Sequence, residues 1–273
     1  MIPMTEPGLP TLPPTPGKTN DQRSAPWLRP DLVAPWWEIG VVGAIFIGNF
    51  TYTSIQAAMM GSSQRFLSLL FSNHHMLVAC ARESLFLAVF LAFLHYRGWK
   101  IVDLRIKATW WSSLQGILLY LPTSIGRSCS VLGIIVLLYY LQTKYRYFLP
   151  FLLSFAPHEQ PDVSNLSWPV LLAGVTINAF YEELICTGYL FNQFAAKRGP
   201  LFALLLLDLV RMSYHTYQGP VNVLGVGVIF LIYGAWYWWT RNLWSLIVAH
   251  AFVDLVSFGA LKIMVEQLHP HHA

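Results

Sequence analysis

Apolar residues fall in long blocks along the chain, at 39–60, 76–96, 111–141, 167–192, 201–218, 222–240 and 243–265, with short polar or Gly- and Pro-containing breaks between them. Most blocks approach the ~20 residues that a helix needs to cross ~30 Å of hydrocarbon. The pattern predicts an all-α, polytopic transmembrane bundle of about seven to eight spans. The spread comes from 111–141, which is long for one helix and carries Pro122 and Arg127 near its middle; it reads as a kinked span or as two shorter elements. In "KRGP" (197–200) Gly199 ends one helix and Pro200 starts the next, and "YQGP" (217–220) closes the fifth block as tightly. No period of 20–50 residues signals a solenoid.

Residues 1–35 open with the Pro-rich, polar "TEPGLPTLPPTPGKTNDQRSAP". It lacks the apolar block of a signal peptide and can bury almost nothing, so a disordered N-terminal tail is expected. Residues 36–160 then form the N-terminal transmembrane helices, 161–266 a core that holds the unusual polar residues, and 267–273 a C-terminal tail.

Composition agrees: 55% of the 273 residues are hydrophobic and 11% charged, against roughly a quarter charged in a typical soluble domain. The net charge of +4 does not point to nucleic acid, because the cations sit between spans rather than along one face; the lipid bilayer is the expected partner. Lys18, Arg23, Arg29, Arg97, Lys100, Arg105, Lys107, Lys197, Arg198 and Arg241 fall on one set of connections, Arg65, Lys144, Arg146 and Lys262 on the other. The positive-inside rule then places the N-terminus in the cytoplasm. Cys80, Cys129 and Cys186 lack the spacing of a disulfide frame or zinc site and read as small core residues. His269, His271 and His272 lie at the extreme end, where no fixed metal geometry is expected. "AWYWWTRNLW" (235–244) reads as an interfacial aromatic belt, Arg82 and Glu83 as an interfacial or intramembrane pair, and His74 and His75 as loop residues.

Ionisable groups inside spans are costly and normally face the bundle interior, paired or in functional use. The later blocks hold several: Glu182 and Glu183 in the fourth, Asp208, Arg211 and His215 in the fifth, and His250 and Asp254 in the seventh. His250 and Asp254 are four apart and share a helix face, as do Arg211 and His215. The adjacent glutamates point about 100° apart, so one can face a cavity and the other a neighbouring helix. Counted from their helix ends, Glu182 and His215 lie ~20–25 Å deep and His250 and Asp254 ~12–20 Å, so all can meet in one polar pocket. Structural readings stand beside this one: an ion pair of Glu183 with Arg211, and a hydrogen-bonded pair of His250 with Asp254. The functional chemistry is hydrolysis. A glutamate takes a proton from water, a histidine orients that water, and a second polar pair stabilises the oxyanion.

"EELICTGYLF", "RMSYHTYQG" and "WSLIVAHAFVDL" resemble, in order and spacing, the motifs of the CPBP intramembrane proteases, which include CAAX prenyl endopeptidases of the Rce type and bacterial Abi-type relatives. The family patterns are two glutamates followed four residues on by arginine, FxxxH, and HxxxN or HxxxD; the resemblance covers about residues 167–260. It implies Glu182 as the base that activates water, Glu183 as its paired acid, His215 as an aid to the water, and His250 with Asp254 at the oxyanion-stabilising position. Asp254, as a carboxylate, would orient His250. Thr187 stands where the family has arginine, and Arg211 where it has phenylalanine. The motif cation is lost from one helix and gained on the next, which predicts that Arg211 contacts Glu183 or Glu182, with Asp208 as the competing partner.

The implied function is an intramembrane endopeptidase that cuts a membrane-bound or lipidated peptide without a cofactor. Zinc is the lesser alternative, with Glu182, His215 and His250 as three ligands. A proteolytically inactive scaffold or immunity-type protein on the same fold is the other alternative. GxSG, GxGD and HExxH patterns are absent. "HTYQG" resembles the bacterial branch, which implies a bacterial cell membrane.

Overall fold

The computed structural model describes residues 28–61, 71–144, 163 and 166–268; residues 1–27, Arg65, Arg146 and the three terminal histidines lie outside them. The described residues form seven principal helices and no strand: α1 (Trp36–Met59), α2 (Asn73–Tyr96), α3 (Trp110–Lys144), α4 (Trp168–Arg198), α5 (Pro200–Tyr214), α6 (Pro220–Thr240) and α7 (Leu243–Leu268). Six are long and apolar enough to cross a membrane among the described residues. The exception is α5, whose 15 residues span only ~22 Å. The fifth apolar block divides between α5 and a single 3-10 turn at Thr216–Gln218, after which α6 starts at Pro220. His215 therefore caps α5 instead of sitting within a full span. Gly219 makes this turn possible: its φ of +83° lies in the left-handed region that side chains resist.

The long third block is one span with a break at Leu119 between helical segments Trp110–Leu118 and Tyr120–Lys144. Pro122 explains it, since it offers no N–H to the carbonyl four residues back. Serines 112 and 113 at the start of α3 are tied to Asn242 (2.8 Å) and Trp244 (2.9 Å) at the start of α7. The α3–α7 crossing is close enough that a Cβ on Gly116 would lie 2.5 Å from the Ser245 carbonyl. The second half of α3 packs on α6, α2 packs on α4, and α4 also meets α7. α4 is the most enclosed candidate span, with 56% of its window buried against 11% for α3. The apolar side chains that α3 exposes, among them Ile125, Leu132 and Val136, suit hydrocarbon.

Four sequence expectations need correction. The tail does not extend to residue 35: Leu28, Leu32 and Ala34 are buried, and Gln193 of α4 accepts from Ala34 N–H and donates to the Leu32 carbonyl, both at 2.8 Å. Apolar side chains and a buried amide partner outweigh the local proline content. His74 and His75 lie in the first turn of α2, capped by Ser72. Cys129 is exposed, unlike Cys80 and Cys186, because α3 turns that face out of the bundle. The fifth crossing is shorter than its apolar block, as described above.

Candidate active site

α4 changes winding where its acids begin. Residues Trp168–Glu182 are α-helical, Glu183–Phe191 form a π-helix, and Asn192–Arg198 are α-helical again. π segments are rare and often mark functional positions. All nine residues of this one are buried, so the segment can turn polar groups only toward other protein. As expected from the angle between neighbours, the two glutamates diverge. Glu182 lines the cavities, whereas Glu183 points behind the cavity wall toward α5 and α7.

Glu183 is fully buried and densely partnered. Arg211 of α5 forks onto it, Nη1 to Oε1 at 2.8 Å and Nη2 to Oε2 at 2.9 Å. Thr187, one turn along α4, donates to Oε2 at 2.6 Å and lies 2.9 Å from Arg211 Nη2. His250 Nδ1 of α7 lies 3.0 Å from Oε1. A buried carboxylate is stabilised by such charge-assisted bonds and would be costly without them. The expected contact between Arg211 and the glutamates is thus present, and the guanidinium also lies 3.8 Å from Glu182 Oε2. Asp208 makes no ion pair with Arg211; its Oδ1 is buried without a partner among the described residues. The guanidinium rests 4.3 Å from the centroid of Phe230, and His215 and His250 pack on the same ring.

Glu182 accepts from the Tyr214 hydroxyl at 2.5 Å through Oε2. Its Oε1 has no hydrogen-bond partner among the described residues. Two cavities, of 180 and 130 Å³, adjoin it and share Phe50, Arg82, Glu83, Asn178 and Glu182 in their walls. The smaller also contains His215, Gln218, His250 and Asp254. Groups from α4, α5 and α7 that are up to 72 residues apart in the chain thereby face one space. His250 Nε2 lies 3.5 Å from Asp254 Oδ2, so Asp254 can hold the ring in orientation. His215 Nε2 is buried without a hydrogen-bond partner among the described residues, while its Nδ1 lies 3.1 Å from Gln218 Nε2, which is also 3.1 Å from the Tyr217 hydroxyl. An amide N–H donated to Nδ1 leaves the ring proton on Nε2, on the side free for another partner. Among the described residues, no group of three or more His, Cys, Asp or Glu is arranged to hold a metal ion.

Tyr214, Gln218, Phe230 and Asn178 are site residues that sequence reasoning missed. Gln218 carried a signal, since it follows His215 by three residues, but Phe230 is one apolar residue among many. Arg82 and Glu83, expected only as a pair, do approach to 3.9 Å and also line both cavities.

The family model described as Rce1-like, type II CAAX prenyl endopeptidase, matches residues 164–256, a third of the chain that includes every acid, arginine and histidine of the buried network. No curated protein and no solved structure matches the chain. Over this segment, with its paired glutamates on α4 and its histidines on α5 and α7, the chain is similar to the CPBP family that includes the CAAX-type intramembrane endopeptidases.

Proposed function

We propose that this multi-pass membrane protein is an active endopeptidase that hydrolyses a membrane-associated or lipidated peptide with water activated by Glu182. The observation that carries the reading is the contrast between the two glutamates. One is locked by three side chains, and the other presents a free oxygen to a cavity shared with two histidines. In this reading Glu182 Oε1 takes a proton from water as the oxygen attacks the peptide carbonyl. His215, protonated at Nε2, donates to the attacking water or to the oxyanion, and His250 donates from Nε2 when it turns from Asp254 to the oxyanion. Glu182 then returns the proton to the leaving amine. Glu183, Arg211, Thr187, Tyr214 and Asp254 position these groups. Arg211 answers the charge of Glu183 inside the protein, and the reading uses no metal.

Loss of the family arginine at position 187 supports an inactive scaffold on the same fold. That support weakens, because Arg211 brings a guanidinium to the same carboxylate from the next helix. The resemblance of "HTYQG" to the bacterial branch favours a bacterial cell membrane as the location.

Purified protein in lipid vesicles, incubated with a panel of lipidated peptides, tests the reading. A peptide should be cut, and the rate should survive thorough treatment with chelators. Loss of the rate on chelation with recovery on adding stoichiometric zinc would replace glutamate chemistry by zinc chemistry. A further expectation concerns Gln218. Gln218→Glu puts an acceptor at His215 Nδ1 and moves the ring proton there, which should lower kcat roughly 10- to 100-fold and alter the pH profile. Gln218→Asn should retain more activity. Unchanged kcat in Gln218→Glu would remove Gln218 from the account.

A further inference from the structure

A second polar cavity lies away from the glutamates, in the seam between α3, α6 and α7. Its volume is 330 Å³, and its walls include Tyr120, Ser124, Arg127, Ser128, Asn222 and Ser257. Ser124 precedes Arg127 by three residues and Ser128 by four, so it shares a face of α3 with each, and all three line the cavity. No described carboxylate lies within ion-pair distance of Arg127, whose charge reaches Asp254 only across a longer gap, and the hydroxyls of Ser124, Ser128 and Ser257 have no hydrogen-bond partner among the described residues. An intramembrane arginine is costly unless its charge is answered. The seat is shaped for this side chain, since a Cβ on Gly225 of α6 would lie 3.2 Å from Arg127 Cγ and 3.8 Å from its Nε.

Depth identifies what can answer the charge. The contacts of Ser113 with Trp244 and of Ser112 with Asn242 fix one end of α3 and α7 at the same level. Arg127 and Ser257 both lie ~20 Å from that level at 1.5 Å per residue, in a hydrocarbon layer ~30 Å thick. Asn222 sits three residues into α6, which starts at the opposite end of the bundle. A guanidinium at this depth can extend to the opposite headgroup layer. A forked cation flanked by several hydroxyl donors matches a tetrahedral oxyanion with multiple acceptor oxygens better than a flat carboxylate.

We infer that this cavity is a phosphate-binding site, filled by the phosphodiester of a phospholipid headgroup or by free phosphate. Occupation ties α3 to α6 and α7, which carry Phe230 and His250, while the cavity shares no lining residue with those beside Glu182.

The test uses the full chain in detergent, with native mass spectrometry and thermal unfolding read in parallel. The probes are phosphatidylglycerol, diacylglycerol with the same acyl chains, and inorganic phosphate. The wild type should bind phosphatidylglycerol roughly tenfold more tightly than Arg127→Gln does, the scale expected for charge-assisted hydrogen bonds, and diacylglycerol should not distinguish them. Stabilisation by phosphatidylglycerol alone identifies the lipid as the source. Stabilisation of the wild type but not Arg127→Gln by inorganic phosphate identifies the free ion. Arg127→Lys and the double variant Ser124→Ala with Ser128→Ala retain the charge; each should bind more weakly than the wild type, and they serve if Arg127→Gln does not fold. Equal retention of phosphatidylglycerol by the wild type and these variants, with no discrimination by phosphate, overturns the inference, as does equal binding of diacylglycerol and phosphatidylglycerol to the wild type.

Discussion

Arg211→Phe is expected to cost about 3–5 kcal/mol of stability, the range for breaking one side of a buried ion pair, and to abolish activity with it. The substitution restores the aromatic residue of the family pattern but removes both guanidinium bonds to Glu183. Glu183 would keep only the Thr187 hydroxyl and His250, with no route to water because it has no exposed surface. Thr187→Arg in the same chain should recover much of the loss. Position 187 is one turn along α4 from Glu183, and its Oγ1 already lies 2.9 Å from Arg211 Nη2, so a guanidinium grown from there can reach the vacated place. Thermal unfolding and peptide turnover of the two variants measure this. A double variant no better than Arg211→Phe would mean that the cation is not interchangeable between the helices, and Thr187 would again count as evidence for a degenerate site.

Glu182→Gln should lower turnover by about 10²–10⁴ while the fold persists, the usual contribution of a positioned general base. The amide keeps the shape of the side chain and can still accept from Tyr214 through its oxygen. What it cannot do is take a proton from water. Thermal unfolding close to that of the wild type, together with loss of turnover, separates chemistry from folding. Glu183→Gln should behave differently and destabilise the protein, because an amide cannot match the charge of Arg211. Comparable turnover in Glu182→Gln would remove the base from the mechanism.

Most of the bundle was legible because a membrane span is specified by composition over a fixed length, and six of the seven apolar blocks became long helices. The fifth misled because apolarity continues through Tyr214 and Tyr217 while the backbone leaves the α-helix at His215; hydropathy does not register a turn buried in protein. The boundary at residue 35 failed for a related reason. Leu28, Leu32 and Ala34 are too few to form an apolar block, and Gln193, which holds the backbone of Leu32 and Ala34, lies more than 150 residues away. In the site, Arg211 and Glu183 could be paired in advance because isolated buried charges demand partners and α4 and α5 are joined by a tight turn. The π-winding of Glu183–Phe191 had no sequence signal. Tyr214 and Phe230 could not be singled out among thirteen tyrosines and seventeen phenylalanines, since only three-dimensional placement distinguishes the ring beside Glu182 from one that faces lipid.

In the proposed mechanism the free oxygen of Glu182 activates water for peptide hydrolysis inside the membrane. Its most direct test compares the peptides in membrane fractions of cells that carry the wild type, Glu182→Gln or no protein, at matched expression. At least one membrane peptide should be cut only in the wild-type fraction, with the same cut reproduced by purified wild type in vesicles and absent with Glu182→Gln. Cleavage of that peptide by Glu182→Gln at the wild-type rate, or identical peptides in all three fractions, would contradict it.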